Sequence, residues 1–261
     1  MKTVIILTQP RSGSSLLAGI LHRLGVIMGD DDEDLVLQSH DNKYGSYEDQ
    51  DFQKIFHRIM FGARRLIMYH NRLKTDDSKT EKAVKRYEKK LVKLIREKEM
   101  EQWGWKEAVL IYTIPFFHQH LINPYYIFLR RPPESVANSQ IQAGRTGRWW
   151  KEIVLEYSYQ QLYNWIPLAL RTFYVIFRYG FYWHNLEFLT KIITDAHKRI
   201  EKFTENKKNI TIDLDDLIND SEKKIQQIID FLEISPTKEQ IEDALNFVHP
   251  ELIKSDIHSK Y

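Results

Sequence analysis

The stretch that most limits what this chain can fold into is its beginning. Thr3–Thr8 carries Val4, Ile5, Ile6 and Leu7 in unbroken succession. An apolar run without alternation predicts a strand buried on both faces, which belongs to a parallel sheet covered by helices on either side. Directly behind it stands the turn Pro10-Arg11-Ser12-Gly13-Ser14-Ser15, and then Leu16, Leu17, Ile20, Leu21 and Leu24 at helical spacing. A strand, a hydroxyl-rich turn and a helix N-terminus together make a place to hold an anion. Backbone N–H groups of Ser12 to Ser15 can form a nest, and the helix adds about half a positive charge. The hydroxyls of Ser12, Ser14 and Ser15 add donors, and Arg11 adds a planar fork suited to oxyanions. The phosphate loop G-x-x-x-x-G-K-[ST] is not here: the turn has one glycine, no lysine, and an arginine two places before the glycine.

Three more short runs read as strands: a weaker one around Trp103–Lys106, Tyr125–Arg130, and Ile210–Leu214. Helical patterns separate them, which predicts an α/β fold: a P-loop-like three-layer core with a parallel sheet of about 4–5 strands flanked by helices. Ser14 or Ser15 can cap the first helix. Pro132 and Pro133 suit the first turn of the helix after the third strand. Residues 78–99 form an amphipathic helix with Val84, Tyr87, Leu91, Leu94 and Ile95 on one side and a lysine- and arginine-rich face on the other. That face is either plainly solvated or a wall toward a polyanionic acceptor. Residues 149–204 are helical and unusually aromatic, with Tyr157, Tyr163, Trp165, Phe173 and Trp183 among many; most are core, and some can line a pocket. We expect one domain over residues 1–261, with a helical insertion at about 52–100 and a helical acceptor lobe at about 149–204.

Composition narrows the class. The 38 basic and 36 acidic residues nearly cancel to +2, which gives no bulk-charge reason to expect nucleic acid or membrane binding. The chain has no cysteine, which removes disulfides, thiol catalysis and cysteine metal sites and fits a reducing compartment. The apolar start is shorter than a signal-peptide core and is cut off by Arg11. No window of about 18 residues is free of charge, so a membrane span is not expected. These readings describe a soluble, cytoplasmic protein.

A second anion clamp follows the third strand, in Arg131-Pro132-Pro133-Glu134-Ser135-Val136-Ala137-Asn138-Ser139. Arg131 leaves the C-terminal strand end, where α/β folds bind ligands, and Ser139 lies eight residues on. Together they can clamp a phosphate by charge-assisted and hydroxyl hydrogen bonds.

With these two pieces the chain resembles the PAPS-dependent sulfotransferases, in particular their bacterial members. Thr8–Ser15 is similar to their 5′-phosphosulfate loop, P-[KR]-S-G-[ST]-[ST], and Arg131, Pro133, Val136 and Ser139 fall in step with their 3′-phosphate motif, R-x-P-x-x-V-x-x-S. Tyr44–Asp49 resembles a G-Y-x-E-D segment, Trp103–Lys106 a W-G-x-K strand, and Ile210–Leu217 with Ile229–Ile234 a Y-E-D-L…F-L-G-L stretch. The resemblance implies PAPS as co-substrate, PAP as product and no required metal. It implies a hydroxyl acceptor of small-molecule, carbohydrate or lipid type, with carbohydrate or glycolipid favoured. It assigns Arg11, with Ser12, Gly13, Ser14 and Ser15, to the 5′ end and Arg131 with Ser139 to the 3′-phosphate.

The family's K-x-H histidine is missing, because Lys106 is followed by Glu107 and Ala108. The resemblance leaves Lys106 for the sulfuryl oxygens and Glu48 as the best-matched base, with Asp51, His40 and Glu107 behind it. Rival readings are a P-loop-type small-molecule kinase, which would need a Walker lysine and a magnesium carboxylate, and a non-catalytic nucleotide or glycan binder. His118 and His120 are too poorly phased for a metal pair. The flexible loop 144–148 offers Arg145 or Arg148 to a nucleotide.

Overall fold

The structure is a computed structural model that describes residues 1–29, 47–63, 77–145, 165–167, 169–170, 173 and 185–249. Its centre is a sheet of four parallel strands: β1 (Lys2–Leu7), β2 (Gln102–Lys106), β3 (Pro124–Arg130) and β4 (Asn209–Asp213), in the order β2-β1-β3-β4. Each lies within one or two residues of the expected run. The helices are α1 (Ser14–Arg23), α2 (Gln50–Gly62), α3 (Asp77–Lys98), the short α4 (Leu110–Thr113), α5 (Pro133–Arg145), α6 (Leu186–Thr204), α7 (Leu214–Asn219), α8 (Ser221–Leu232) and α9 (Lys238–Asn246).

Strand alternation assigns the two covered faces. Val4 and Ile6 of β1 join Tyr125, Ile127 and Leu129 of β3 in a core beneath α1, α7, α8 and α9. Ile5 and Leu7 join Tyr126, Phe128 and the β2 indoles of Trp103 and Trp105 in a second core beneath α2, α3 and α4. Helix, sheet and helix therefore make the three layers the apolar run demanded. In the second core Phe52 of α2 stacks on Trp105 with ring centroids 4.1 Å apart.

Gly104 of β2 is a close-approach site. Its N–H donates to Ile27 O at 2.8 Å, which lets the Val26–Met28 segment extend the sheet edge. A Cβ there would stand 2.7 Å from Val4 O and 3.0 Å from Met28 Sδ.

The strand order sets the site. The chain leaves β1 toward β2 on one side and leaves β3 toward β4 on the other. The adjacent C-terminal ends of β1 and β3 thus flank a topological switch point, the crevice where open α/β sheets bind ligands.

The expected insertion at about 52–100 contains α2 and α3, with 64–76 outside the described residues. Most of the expected aromatic lobe is also outside them, as are Asp30–Asp34; α6 lies within its last third. Among the described residues no helix is long and apolar enough to cross a membrane.

Candidate active site

Three neighbouring strands deliver the expected residues to one end of the sheet. β1 runs into the turn Pro10–Ser15, β2 ends on Lys106 beside Ile6 of β1, and β3 ends just before Arg131. The N-cap of α1 is Gly13, and no side chain caps it, so the expected cap from Ser14 or Ser15 is corrected. The reason is backbone geometry. Arg11 and Gly13 both take left-handed conformations, φ 70° and 88°, which curl the turn and place Ser14 already inside the helix. Gly13 is the natural residue there, since a Cβ would be strained and would lie 2.7 Å from Leu214 Cδ1.

Arg11 has no such freedom, and a left-handed arginine costs roughly 1–2 kcal/mol. Contacts from the other half of the site hold it. Gln140 Nε2 donates to Pro10 O at 3.1 Å, Arg131 Nη1 donates to Arg11 O at 2.9 Å, and Arg11 Nε donates to Ser139 Oγ at 3.3 Å. Below the turn, Thr8 Oγ1 donates to Leu129 O at 2.8 Å and ties the two strand ends together. The two sequence motifs, more than a hundred residues apart, therefore meet in one clamp. Arg131, Ser139 and Gln140 are all buried in it.

Two polar side chains at this end are fully buried without partners. Ser12 Oγ, and both Nε2 and Oε1 of Gln9, make no hydrogen bond among the described residues. Buried donors and acceptors are normally satisfied, and an orphaned pair calls for a reason. A polar ligand in the turn supplies one.

Beside this clamp lies a carboxylate group. Lys106 is buried, and its Nζ contacts Glu48 Oε1 at 2.8 Å. Gln53 Nε2 donates to the other oxygen, Glu48 Oε2, at 2.7 Å, and Gln53 also hydrogen-bonds Glu107. Burial of its carboxyl, and next the charge of Glu48, pushes Glu107 well above the ordinary carboxylate range; Lys106 and Gln53 pull it back only in part. The residue as a whole is half-buried, but its acid group sits among protein atoms, and that inner environment decides the direction. Two carboxyls linked by one amide, with one paired to lysine and the other favouring its proton, form an arrangement suited to proton transfer.

The structure gathers Arg11, Ser12, Gly13, Ser14, Ser15, Arg131 and Ser139 at the switch point and Glu48 with Lys106 at the next strand end. Asp51 stays at the surface, paired with Lys54 at 3.1 Å, while Asp49 caps α2 through the N–H groups of Asp51 and Phe52. His40, Tyr44–Ser46, Arg148 and the side chain of Arg145 lie outside the described residues. His120 Nε2 contacts Glu88 Oε1 at 2.8 Å, whereas His118 packs edge-on against Phe203. No group of three or more possible metal ligands occurs among the described residues. Sequence reasoning missed Gln9, Gln53 and Gln140. The places of Gln9, inside the Thr8–Ser15 stretch, and of Gln140, next to Ser139 on the same helix, could have signalled those two.

No protein-family model matches the chain, and no curated protein does. Among solved structures it is similar to several sulfotransferases, bacterial ones included. The sulfotransferase domain of the Synechococcus PCC 7002 olefin synthase is 17% identical, with a TM-score of 0.45 over 100% of this chain and 89% of that one. A sulfotransferase from Alicyclobacillus acidocaldarius is 12% identical, with a TM-score of 0.44 over 100% and 97% of the two chains. One from Mycobacterium avium is 13% identical, with a TM-score of 0.46 over 95% and 68%.

Proposed function

We propose that this chain is a sulfotransferase that moves a sulfuryl group from PAPS to the hydroxyl of a carbohydrate or glycolipid acceptor and releases PAP. The observation that carries the reading is the clamp: Arg131 and Ser139 of one anion motif bond directly to Arg11 of the other, at the switch point of the sheet. A ligand with phosphates at both ends of a nucleoside fits two such motifs held side by side. Its 5′ end would give the orphaned Ser12 Oγ and Gln9 side chain partners that the protein alone does not provide.

In the proposed reaction the acceptor oxygen attacks sulfur in line with the bridging oxygen of the donor. The new S–O bond forms as the old one breaks, and the departing electron pair stays on the 5′-phosphate of PAP. Arg11 and the nest of Ser12 to Ser15 stabilise that growing charge. Lys106 neutralises the sulfuryl oxygens, and Glu48, held by Gln53, takes the acceptor proton. Lys106 serves both partners, since the same ammonium that contacts Glu48 stands at the end of the strand beside β1. The transferred group carries a single charge, so the need for a Walker lysine and magnesium is smaller than in phosphoryl transfer.

Calorimetric titration with PAP and with ATP–magnesium tests the donor. We expect PAP to bind and Arg131→Ala to weaken it about 10- to 100-fold, the worth of a charged hydrogen bond or two. Preference for ATP–magnesium, or an unchanged PAP affinity in Arg131→Ala, would overturn the assignment. Turnover of radiolabelled PAPS against sugars, lipids and phenols tests the transfer. Glu48→Gln should lower kcat by about 10²- to 10⁴-fold while PAP still binds.

A further inference from the structure

The charge of this protein is unevenly placed. Helix α3 alone carries nine basic and four acidic side chains, a net of +5, whereas the chain as a whole has +2. Everything outside α3 therefore sums to −3.

Part of the helix charge is spent locally. Lys85 pairs with Glu81, Lys93 with Glu97 and Arg96 with Glu99. Lys98, on the inner side, reaches Asp49 at 2.9 Å. Lys82, Arg86, Lys89 and Lys90 are exposed and make no ion pair among the described residues. They follow an i, i+4, i+7, i+8 spacing and so share one face, along about 12 Å of helix axis. Lys79 and Lys93 continue the stripe at either end.

The opposite face is fully committed. Val84, Leu91, Leu94 and Ile95 are buried in the core with Phe52, Phe56 and Trp105. No large apolar side chain of α3 is exposed, so the helix has nothing to insert into a bilayer. What Lys82, Arg86, Lys89 and Lys90 present is a row of cations outside any ion pair among the described residues, which complements a linear polyanion more closely than a lipid surface. The C-terminal end of the same helix, on its inner side, reaches the α2 N-terminus. Lys98 in the last turn binds Asp49, whose neighbour in the chain is Glu48.

We propose that the outer face of α3 is a docking surface for an anionic polysaccharide, and that the acceptor is a glycan already bearing carboxylate or sulfate groups. The inference rests on the sulfuryl-transfer reading for the word acceptor, but its binding test does not. A polymer held along α3 is brought to the end of the helix that abuts the α2 N-terminus, where Glu48 and Lys106 stand. Charge at the stripe raises its local concentration and sets its direction.

The test compares the wild type with Lys82→Glu/Arg86→Glu/Lys89→Glu/Lys90→Glu and with the milder set in which the same four become Gln. Fluorescence titrations use dextran sulfate, uncharged dextran, and vesicles with one-third anionic phospholipid. PAP affinity and thermal unfolding confirm that each variant keeps its fold and donor site. We expect the wild type to bind dextran sulfate in a salt-sensitive manner and to ignore uncharged dextran. The charge reversal should weaken that binding by about 10-fold or more, with the Gln set in between. With alginate as a carboxylated hydroxyl acceptor, KM should rise in the variants while kcat holds. Equal binding by wild type and reversal variant, no binding by wild type, or binding only to vesicles overturns the docking proposal. Failure of PAP to bind sinks the sulfuryl-transfer reading instead, and leaves the dextran sulfate result to stand by itself.

Discussion

His197 of α6 is the side chain through which acid should unfold this protein. Its ring is 7% exposed, lies edge-on to Phe128 of β3 at 5.1 Å, and its Nε2 has no hydrogen-bond partner among the described residues. Burial, reinforced by the nearby Arg130 charge, lowers its pKa from 6.5 to about 4. In the unfolded chain the imidazole takes a proton near 6.5, so between that value and 4 the unfolded state binds more protons than the folded state. Stability is therefore complete above pH 6.5 and is lost as pH falls toward 4. The fall from 6.5 to about 4 bounds the full loss at about 3 kcal/mol. Relaxation and water penetration around the charged ring reduce this to roughly 2 kcal/mol. Urea denaturation of wild type and His197→Phe at pH 7 and pH 5 checks it. The variant keeps the ring contact and cannot titrate, so the wild type should lose about 1–2 kcal/mol more than the variant over that interval. Identical pH dependence in the two proteins, or an imidazole resonance titrating near 6.5, would refute the argument.

Two other perturbations follow from the same reasoning. Glu107 has a raised folded pKa, so its ionisation opposes folding; wild-type stability should fall as pH climbs through that pKa, and Glu107→Gln should be the more stable protein at pH 8, as read by urea midpoints. Gly104→Ala forces a methyl against Val4 O and Met28 Sδ and should cost about 1–3 kcal/mol in the same assay, whereas an unchanged midpoint would show that the Val26–Met28 edge yields freely.

The sheet was legible because its signal is local. An apolar run such as Val4–Leu7 has to be covered on both sides, and four such runs with helices between them leave little but a parallel three-layer fold. The two candidate anion motifs stand out for the same reason, since Arg11–Ser15 and Arg131–Ser139 are contiguous. Their distance from each other was not. That Arg131 bonds the carbonyl of Arg11, and Gln140 that of Pro10, depends on β1 and β3 being neighbours, which no stretch of sequence displays. Glutamines were missed as a class, because Gln9, Gln53 and Gln140 look like ordinary polar residues until the fold buries or aims them. The helix cap was misjudged because a left-handed turn at Gly13 moved Ser14 from the cap into the helix. Glu107 was named only as a reserve base; its shifted acidity arises from burial and from Glu48, a residue 59 positions earlier in the chain.

The bond from Arg131 to the Arg11 carbonyl has a thermodynamic consequence. Under the proposed function, the guanidinium assigned to one end of the donor also props the strained peptide assigned to the other, so neither grip has a strength of its own. Losing Arg131 removes a charge and lets the loop relax out of its left-handed turn; losing Ser12 or Ser139 then removes less than it did before. The two ends of the site behave as one cooperative unit, and the free energies of substitutions at them will not add.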